Sequence, residues 1–225
     1  MLLLAIDTAT SAITVALHDG HGVLAESTTL DARGHGEYLA PGIAEVLKRA
    51  GRVPADVSAV VVGTGPGPFT GLRVGLVTAR TFAFARGIPV FGVCSLDAMA
   101  HQAWLEGAGE LGQSCVVATD ARRKEVYWAH YEITGEGARR TGQPLVAKAA
   151  SIAEQVRGLP VIGRGADLYA DSFGPRVGPL DVSAGALADL AATMMAAGVR
   201  LPEPVPMYLR RPDATPAPPP KSALT

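Results

Sequence analysis

The chain has 225 residues, 20 of them basic and 21 acidic for a formal net charge of −1, and 48% are hydrophobic while only 5% are aromatic. The charge excludes a protein that holds nucleic acid chiefly by its own field, which needs a large cationic excess. The apolar share suffices for a core, and that core must be assembled from Ala, Val and Leu rather than from large rings.

Leu2 to Ile6 is a short apolar run closed by Asp7. Ala12 to His18 alternates loosely, and Gly22 to Thr28 follows Asp19-Gly20, a hairpin signal, so three antiparallel strands are predicted. No basic region precedes Leu2, and no apolar run reaches the roughly 18 residues of a membrane span. Neither a signal peptide nor a membrane segment is expected, and a cytoplasmic protein is. Leu39, Ile43, Val46 and Leu47 recur at helical spacing between Glu37 and Ala50, with Gly51 as the stop. Ser58 to Val62 reads as a buried strand, followed by the loop Gly63 to Pro68, a helix from Thr70 to Arg86 ended by Gly87, and a strand over Ile88 to Val93. The order is βββαβαβ.

The pattern then begins again. Val116 to Asp120 with Val126 to Tyr131 repeats the plan of Leu3 to Asp7 with Ile13 to Leu17: an apolar strand ending in Asp, a tight connection, a return strand. Helices are predicted over Ala149 to Val156 and Ala184 to Ala197, and a short strand over Leu159 to Gly163. Pro202 to Thr225 holds eight of the 17 prolines; its first part, through Val205, Tyr208 and Leu209, is expected to pack on the second lobe. The fold predicted is α/β, two duplicated ribonuclease-H-like lobes, the second reduced: residues 1–100, residues 101–211, and a flexible tail over 212–225.

An Asp ending a first strand beside a small-residue turn is how two-lobed nucleotide-binding folds place a metal-linked carboxylate, but a phosphate needs glycine there for close backbone approach. Here Ala9 stands in Asp7-Thr8-Ala9-Thr10, and the counterpart, Asp120-Ala121-Arg122-Arg123-Lys124, has three bulky cations and no glycine. Asp7, Thr8 and Thr10 are therefore either a structural turn or a residual nucleotide contact. Gly63 to Gly71 lies between strand and helix, where helix N-termini capture anions. It lacks the Gly-Lys-Ser/Thr of a phosphate loop, and Pro66 and Pro68 each remove a donor, so the loop reads as rigid. Gly71, Gly75, Ala79 and Ala83 recur every four residues along the following helix. This stripe of minimal side chains packs either on the chain's own sheet or on a partner helix. Arg122-Arg123-Lys124 is either an exposed turn or a contact for nucleic-acid phosphate. No histidine has a ligand at the i+4 position a helical metal pair needs, and neither Cys94 nor Cys115 has a histidine at a spacing that argues for a nucleophile.

Leu4-Ala5-Ile6-Asp7-Thr8-Ala9-Thr10, Gly65-Pro66-Gly67-Pro68-Phe69-Thr70-Gly71-Leu72-Arg73-Val74-Gly75, Asp120-Ala121-Arg122 with Glu125-Val126-Tyr127-Trp128-Ala129, and Pro206-Met207-Tyr208-Leu209-Arg210 together resemble the TsaB (YeaZ) family. The resemblance runs from residue 2 to about 211, and its glycine-rich segment is highly specific. It implies the actin, Hsp70 and sugar-kinase (ASKHA) fold and a non-catalytic subunit that binds TsaD. With the ATPase TsaE, TsaD installs threonylcarbamoyl on the adenosine beside the tRNA anticodon. The family also homodimerises through its N-terminal helices, and nucleotide, ATP or ADP, is implied only at the subunit junction, with no cofactor or metal of the subunit's own. Carried to this sequence, the partner surface would involve His35, Tyr38, Leu39, Gly71, Arg73, Val74, Gly75, Thr78, Ala79 and Phe82. One departure is Pro68, where the family usually has Ser; another, relative to the catalytic paralogue's helical HxxxH, is Leu39 at i+4 from His35. The rival readings are an ATP-dependent kinase or ATPase using Asp7 and Asp120, and a metalloprotease-like protein.

Overall fold

The computed structural model describes residues 1–31, 34–107 and 114–210, and the tail predicted over 212–225 lies outside them. The apolar run after Met1 forms β1 (Leu3–Asp7), which pairs antiparallel with β2 (Ala12–His18), Asp7 standing opposite Thr14. Every residue of both strands is buried, as strands covered on both faces must be. β3 (Val23–Leu30) completes the meander and forms the sheet edge. α1 (His35–Arg49) carries Leu39, Ile43, Val46 and Leu47 on its buried side. It leads to β4 (Ala59–Gly63), parallel to β1. α2 (Phe69–Arg86) ends on Gly87, whose left-handed φ of 65° lets its N–H cap Ala83 O and Phe84 O. β5 (Val90–Val93) lies parallel to β4. The sheet order, β3-β2-β1-β4-β5, is that of a ribonuclease-H-like lobe.

α3 (Ser95–Leu105), which sequence periodicity did not single out, leads to the second sheet. There β6 (Ser114–Asp120) and β7 (Glu125–Thr134) form the repeated hairpin, with β8 (Gly137–Arg140) and β9 (Leu145–Lys148) on the free edge of β7. α4 (Ala149–Ile152) is half as long as the predicted helix, and β10 (Val161–Ile162) pairs parallel with β6 as β4 does with β1. α5 (Gly165–Leu168) and α6 (Ala184–Ala196) follow. Beyond β10 an isolated parallel bridge, Val161 to Arg176, stands where the first lobe has β5. The second lobe is therefore the reduced copy.

Three packed layers result. Leu4, Ile6, Leu39, Val46, Leu72 and Ala79 join the outer face of the first sheet to α1 and α2. Leu3, Val61, Leu96, Met99, Val117, Tyr131 and Leu187 fill the space between the two sheets, with α3 and α6 inside it. Val116, Trp128, Ile152 and Phe173 close the far face of the second sheet. The N-terminus of α6 is docked on the first lobe: Ser183 Oγ accepts from Ala186 N–H at 3.1 Å and donates to Glu26 Oε1 at 2.8 Å, and Ala184 N–H donates to Thr14 Oγ1 at 3.1 Å. A carboxylate there meets both the orphan donors and the positive end of the helix dipole. Deeper along α6, Asp189 accepts from His101 Nε2 at 2.7 Å and stands 3.4 Å from His18 Nε2. Gly20 N–H donates to His18 Nδ1 at 3.0 Å, so the His18 proton sits on Nε2 and faces the carboxylate.

Residues 201–210 form a strap across both lobes. Gly92 N–H donates to Pro202 O, Arg80 Nη2 to Pro204 O at 2.6 Å, and Met207 N–H to Thr64 O at 2.8 Å. Tyr208 stacks on Phe69 with centroids 5.0 Å apart, and Arg210 Nη1 reaches Ala121 O at 2.8 Å. The expectation that Val205 and Tyr208 pack on the second lobe is corrected. Val205 is exposed, Tyr208 meets α2 of the first lobe, and Arg210 makes the second-lobe contact through Ala121 O and Glu125.

Candidate functional site

The two equivalent hairpin turns approach a cleft of about 370 Å³ between the lobes, lined by Thr10, Ser11, His35, Gly71 and Val74 on one side and by Thr119, Asp120, Arg122, Arg164 and Asp181 on the other. His35 Nε2 lies 3.4 Å from Thr10 O, tying the head of α1 to the first turn. Arg164 grips Asp181 through two nitrogens at 2.6–3.0 Å, which raises its pKa, chiefly through those hydrogen bonds.

Asp7 is sealed away from this cleft. Its Oδ1 accepts Ala9 N–H at 2.7 Å, its Oδ2 accepts Ser95 Oγ–H at 2.5 Å, and none of its surface is exposed. A Cβ on Gly63 would come within 1.7 Å of Asp7 Oδ2, so glycine is required beside the carboxylate. Burial pushes the Asp7 carboxyl up to about 6, with the Ser95 and Ala9 hydrogen bonds pulling the other way. Thr8 is equally buried and donates to Gly71 O at 2.7 Å. Of the three candidate nucleotide contacts, only Thr10 lines the cleft.

Two donors of the loop Gly63 to Pro68 are taken up by β5 and the head of α3: Thr64 N–H on Val93 O and Gly65 N–H on Ser95 Oγ at 3.1 Å. The Gly65–Pro66 peptide is cis, and Gly67 lies so close to Ala9 O that a Cβ would stand 2.5 Å from it. Asp120 does reach the cleft, its Oδ1 accepting Arg122 N–H at 2.8 Å and its Oδ2 lying 3.3 Å from Arg122 Nη1. The kinase-type pair is thus split, with one carboxylate at the cleft wall and one sealed behind Gly63 and Ser95. Among the described residues, no three His, Cys, Asp or Glu side chains are grouped to hold a metal ion.

The small-residue stripe of α2 faces inward, a correction to its reading as partner surface. Gly71, Gly75, Ala79 and Ala83 are buried in the chain's own core. A Cβ on Gly75 would stand 2.3 Å from Thr8 Oγ1, and one on Gly71 2.5 Å from Thr8 O. The first turn thus fills the groove that the glycines leave. His35 and Leu39 are buried as well, Leu39 within the outer core. Val74, Thr78 and Phe82 are half-buried, and only Tyr38 and Arg73 of the ten candidates are exposed. The outward face of α2 is instead Phe69, Arg73, Val77, Arg80 and Phe84, with Val77 60% and Phe84 90% exposed. The Arg73 guanidinium covers the Phe69 ring at 4.8 Å. This second stripe repeats at helical spacing too.

A cavity of about 680 Å³ opens under the strap, between Cys94, Asp97, Arg140, Leu190, Met194 and Met207. Tyr131 OH donates to Asp97 Oδ1 at 2.6 Å, and Arg140 Nε lies 3.3 Å from the same oxygen. Burial pushes the Cys94 thiol up to about 12 and the Cys115 thiol to about 11, so both are inert thiols in this fold.

Two duplicated lobes meeting over a cleft, each with an Asp-terminated first strand, define a protein of the ASKHA class. The model of a family described as TsaD, tRNA N6-adenosine threonylcarbamoyltransferase, matches residues 8–194. An uncharacterised protein of Mycobacterium tuberculosis is 46% identical over 217 residues, covering 95% of this chain and 94% of that protein. The tRNA threonylcarbamoyladenosine biosynthesis protein TsaB of Escherichia coli is 38% identical over 132 residues, 59% of this chain and 55% of that protein. YeaZ from Pseudomonas aeruginosa superposes with a TM-score of 0.74 at 32% identity, covering 92% of this chain and 99% of that one. A second Pseudomonas aeruginosa structure, titled an uncharacterised protein with similarity to peptidase YeaZ, gives a TM-score of 0.78 at 30% identity over 93% of this chain and 99% of that one. The chain belongs to the TsaB (YeaZ) family.

Proposed function

We propose that this chain is the non-catalytic partner of a TsaD-type transferase, working in the cytoplasm in threonylcarbamoyl transfer to tRNA. The observation that carries this reading is the outward face of α2. An aliphatic and an aromatic side chain stand largely in solvent there, on the same helix as a ring covered by a guanidinium, with the helix's other side buried in the core. Exposed anchors of this kind on a regular element are what a docking helix presents. The same face would serve a homodimer when the chain is alone. TsaE would join the assembled pair, and tRNA would be held through the complex. With Asp7 sealed and Thr10 and Asp120 on the rim, any ATP or ADP would sit at the subunit junction.

The test is a Val77→Glu, Phe84→Glu double variant, placed where neither side chain supports the fold. Burying each side chain at an interface stabilises by about 1.5–3 kcal/mol, so co-purification with TsaD should weaken by at least ~100-fold while the melting temperature holds. Unchanged association would remove α2 as the docking face. In the same assay, TsaD added to the wild-type homodimer should dissolve it, because both associations use one surface.

A further inference from the structure

The turn between β6 and β7 places three consecutive long cations in the left-handed region: Arg122, Arg123 and Lys124 have φ of 63°, 54° and 64°. This is a conformation that glycine adopts without penalty and that a Cβ disfavours, yet all three positions carry exposed cationic side chains. The surroundings hold the turn. Ala121 N–H donates to Glu125 O, Glu125 N–H to Arg122 O and Ala149 N–H to Lys124 O, while Arg210 of the strap donates to Ala121 O at 2.8 Å. Arg122 Nη1 lies 3.3 Å from Asp120 Oδ2 at the start of the turn, and Arg210 Nη2 lies 3.4 Å from Glu125 Oε2 at its end. Lys148 adds a further exposed cation, opposite Glu125 in the β7–β9 register. The strap that fixes the turn also stacks Tyr208 on Phe69 at the head of α2.

We propose that Arg123 and Lys124 contact the phosphate backbone of RNA held by the assembled complex, an inference that rests on the reading of this chain as a subunit of a tRNA-modifying assembly. The side chains of residues 122–124 are exposed on a backbone held by hydrogen bonds, and phosphate contacts need cations in place rather than any base-reading group. The near-neutral chain as a whole would not hold RNA alone. A local knuckle tethered to the docking helix can position RNA that a partner has already bound, and each phosphate neutralised adds to the salt dependence of binding.

The experiment uses the full chain assembled with TsaD and measures tRNA binding across salt concentrations. Two variants are compared, Arg123→Gln with Lys124→Gln, and Arg123→Gly with Lys124→Gly. Both should bind tRNA roughly 10-fold more weakly near 0.1 M salt, and the slope of log affinity on log salt should shrink by about 1.4 to 1.8, the value for two phosphates. The melting temperature of the glycine variant should not fall, because the left-handed positions accept glycine. Equal affinity and slope in both variants, with assembly intact, would overturn the proposal. So would weakened association with TsaD with tRNA affinity unmoved at saturating TsaD, which would make the knuckle a protein contact. If the wild-type chain does not assemble with TsaD at all, it is the proposed function that fails, and that outcome is read before any variant is compared.

Discussion

Replacing Asp7 by asparagine separates a sealed structural carboxyl from a chemical one. The carbonyl oxygen of the new amide can keep the Ala9 N–H bond, and its NH2 group can donate to Ser95 Oγ, which already accepts from Gly65 N–H. Burial raises the Asp7 carboxyl from 3.8 to about 6 in the folded chain. A raised carboxyl binds more protons folded than unfolded between those values, so its contribution to stability is greatest below pH 3.8 and falls as the pH rises to 6. At 1.36 kcal/mol per unit, ionising Asp7 costs the native state about 3 kcal/mol at neutral pH. The asparagine variant escapes that cost. Urea unfolding of wild type and variant at a series of pH values from 4 to 7.5 should show the variant gaining on the wild type by about 2–3 kcal/mol across the window, then no further. Taking the difference cancels the other carboxylates, including Asp97, which burial also raises. A difference independent of pH would refute the argument. The same variant should support full threonylcarbamoyl transfer in a reconstituted assay. A folded variant that abolished transfer would put Asp7 back into the chemistry and revive the kinase-type reading.

Gly75→Ala should lower the melting temperature by roughly 2–4 °C for each kcal/mol of overpacking, because the new methyl would sit 2.3 Å from Thr8 Oγ1 and displace the hydroxyl from Gly71 O. A change under about 1 °C by calorimetry would mean that the turn and helix are not packed as described. Truncation after Leu201 removes the strap's bonds to Gly92, Arg80, Thr64 and Ala121 together with the Tyr208 stack on Phe69. It should cost a similar number of degrees, and an unchanged transition would make the strap a passive end of the chain.

What the residue pattern could and could not convey follows from how each element is buried. The half-buried helix α1 advertised itself, because Leu39, Ile43, Val46 and Leu47 keep a period that only one apolar face produces. α3 did not: Leu96, Ala98, Met99, Ala100, His101 and Ala103 are all buried between the two sheets, so buried positions run around most of the helix and mark no clear period. The repeat of strand, Asp and return strand was legible because β1–β2 and β6–β7 occupy equivalent places in two sheets, each with a parallel neighbour, β4 or β10. The stripe of α2 was legible as a demand for close approach, but sequence spacing is silent on which surface does the approaching. The answer lay 63 residues upstream, in the Thr8 hydroxyl that bonds Gly71 O. A chain can therefore show from its residues that two surfaces touch closely and still mislead about whose surfaces they are. When the glycine face of a helix is filled by its own chain, its opposite face is the one left in solvent, and on α2 that face carries Val77 and Phe84.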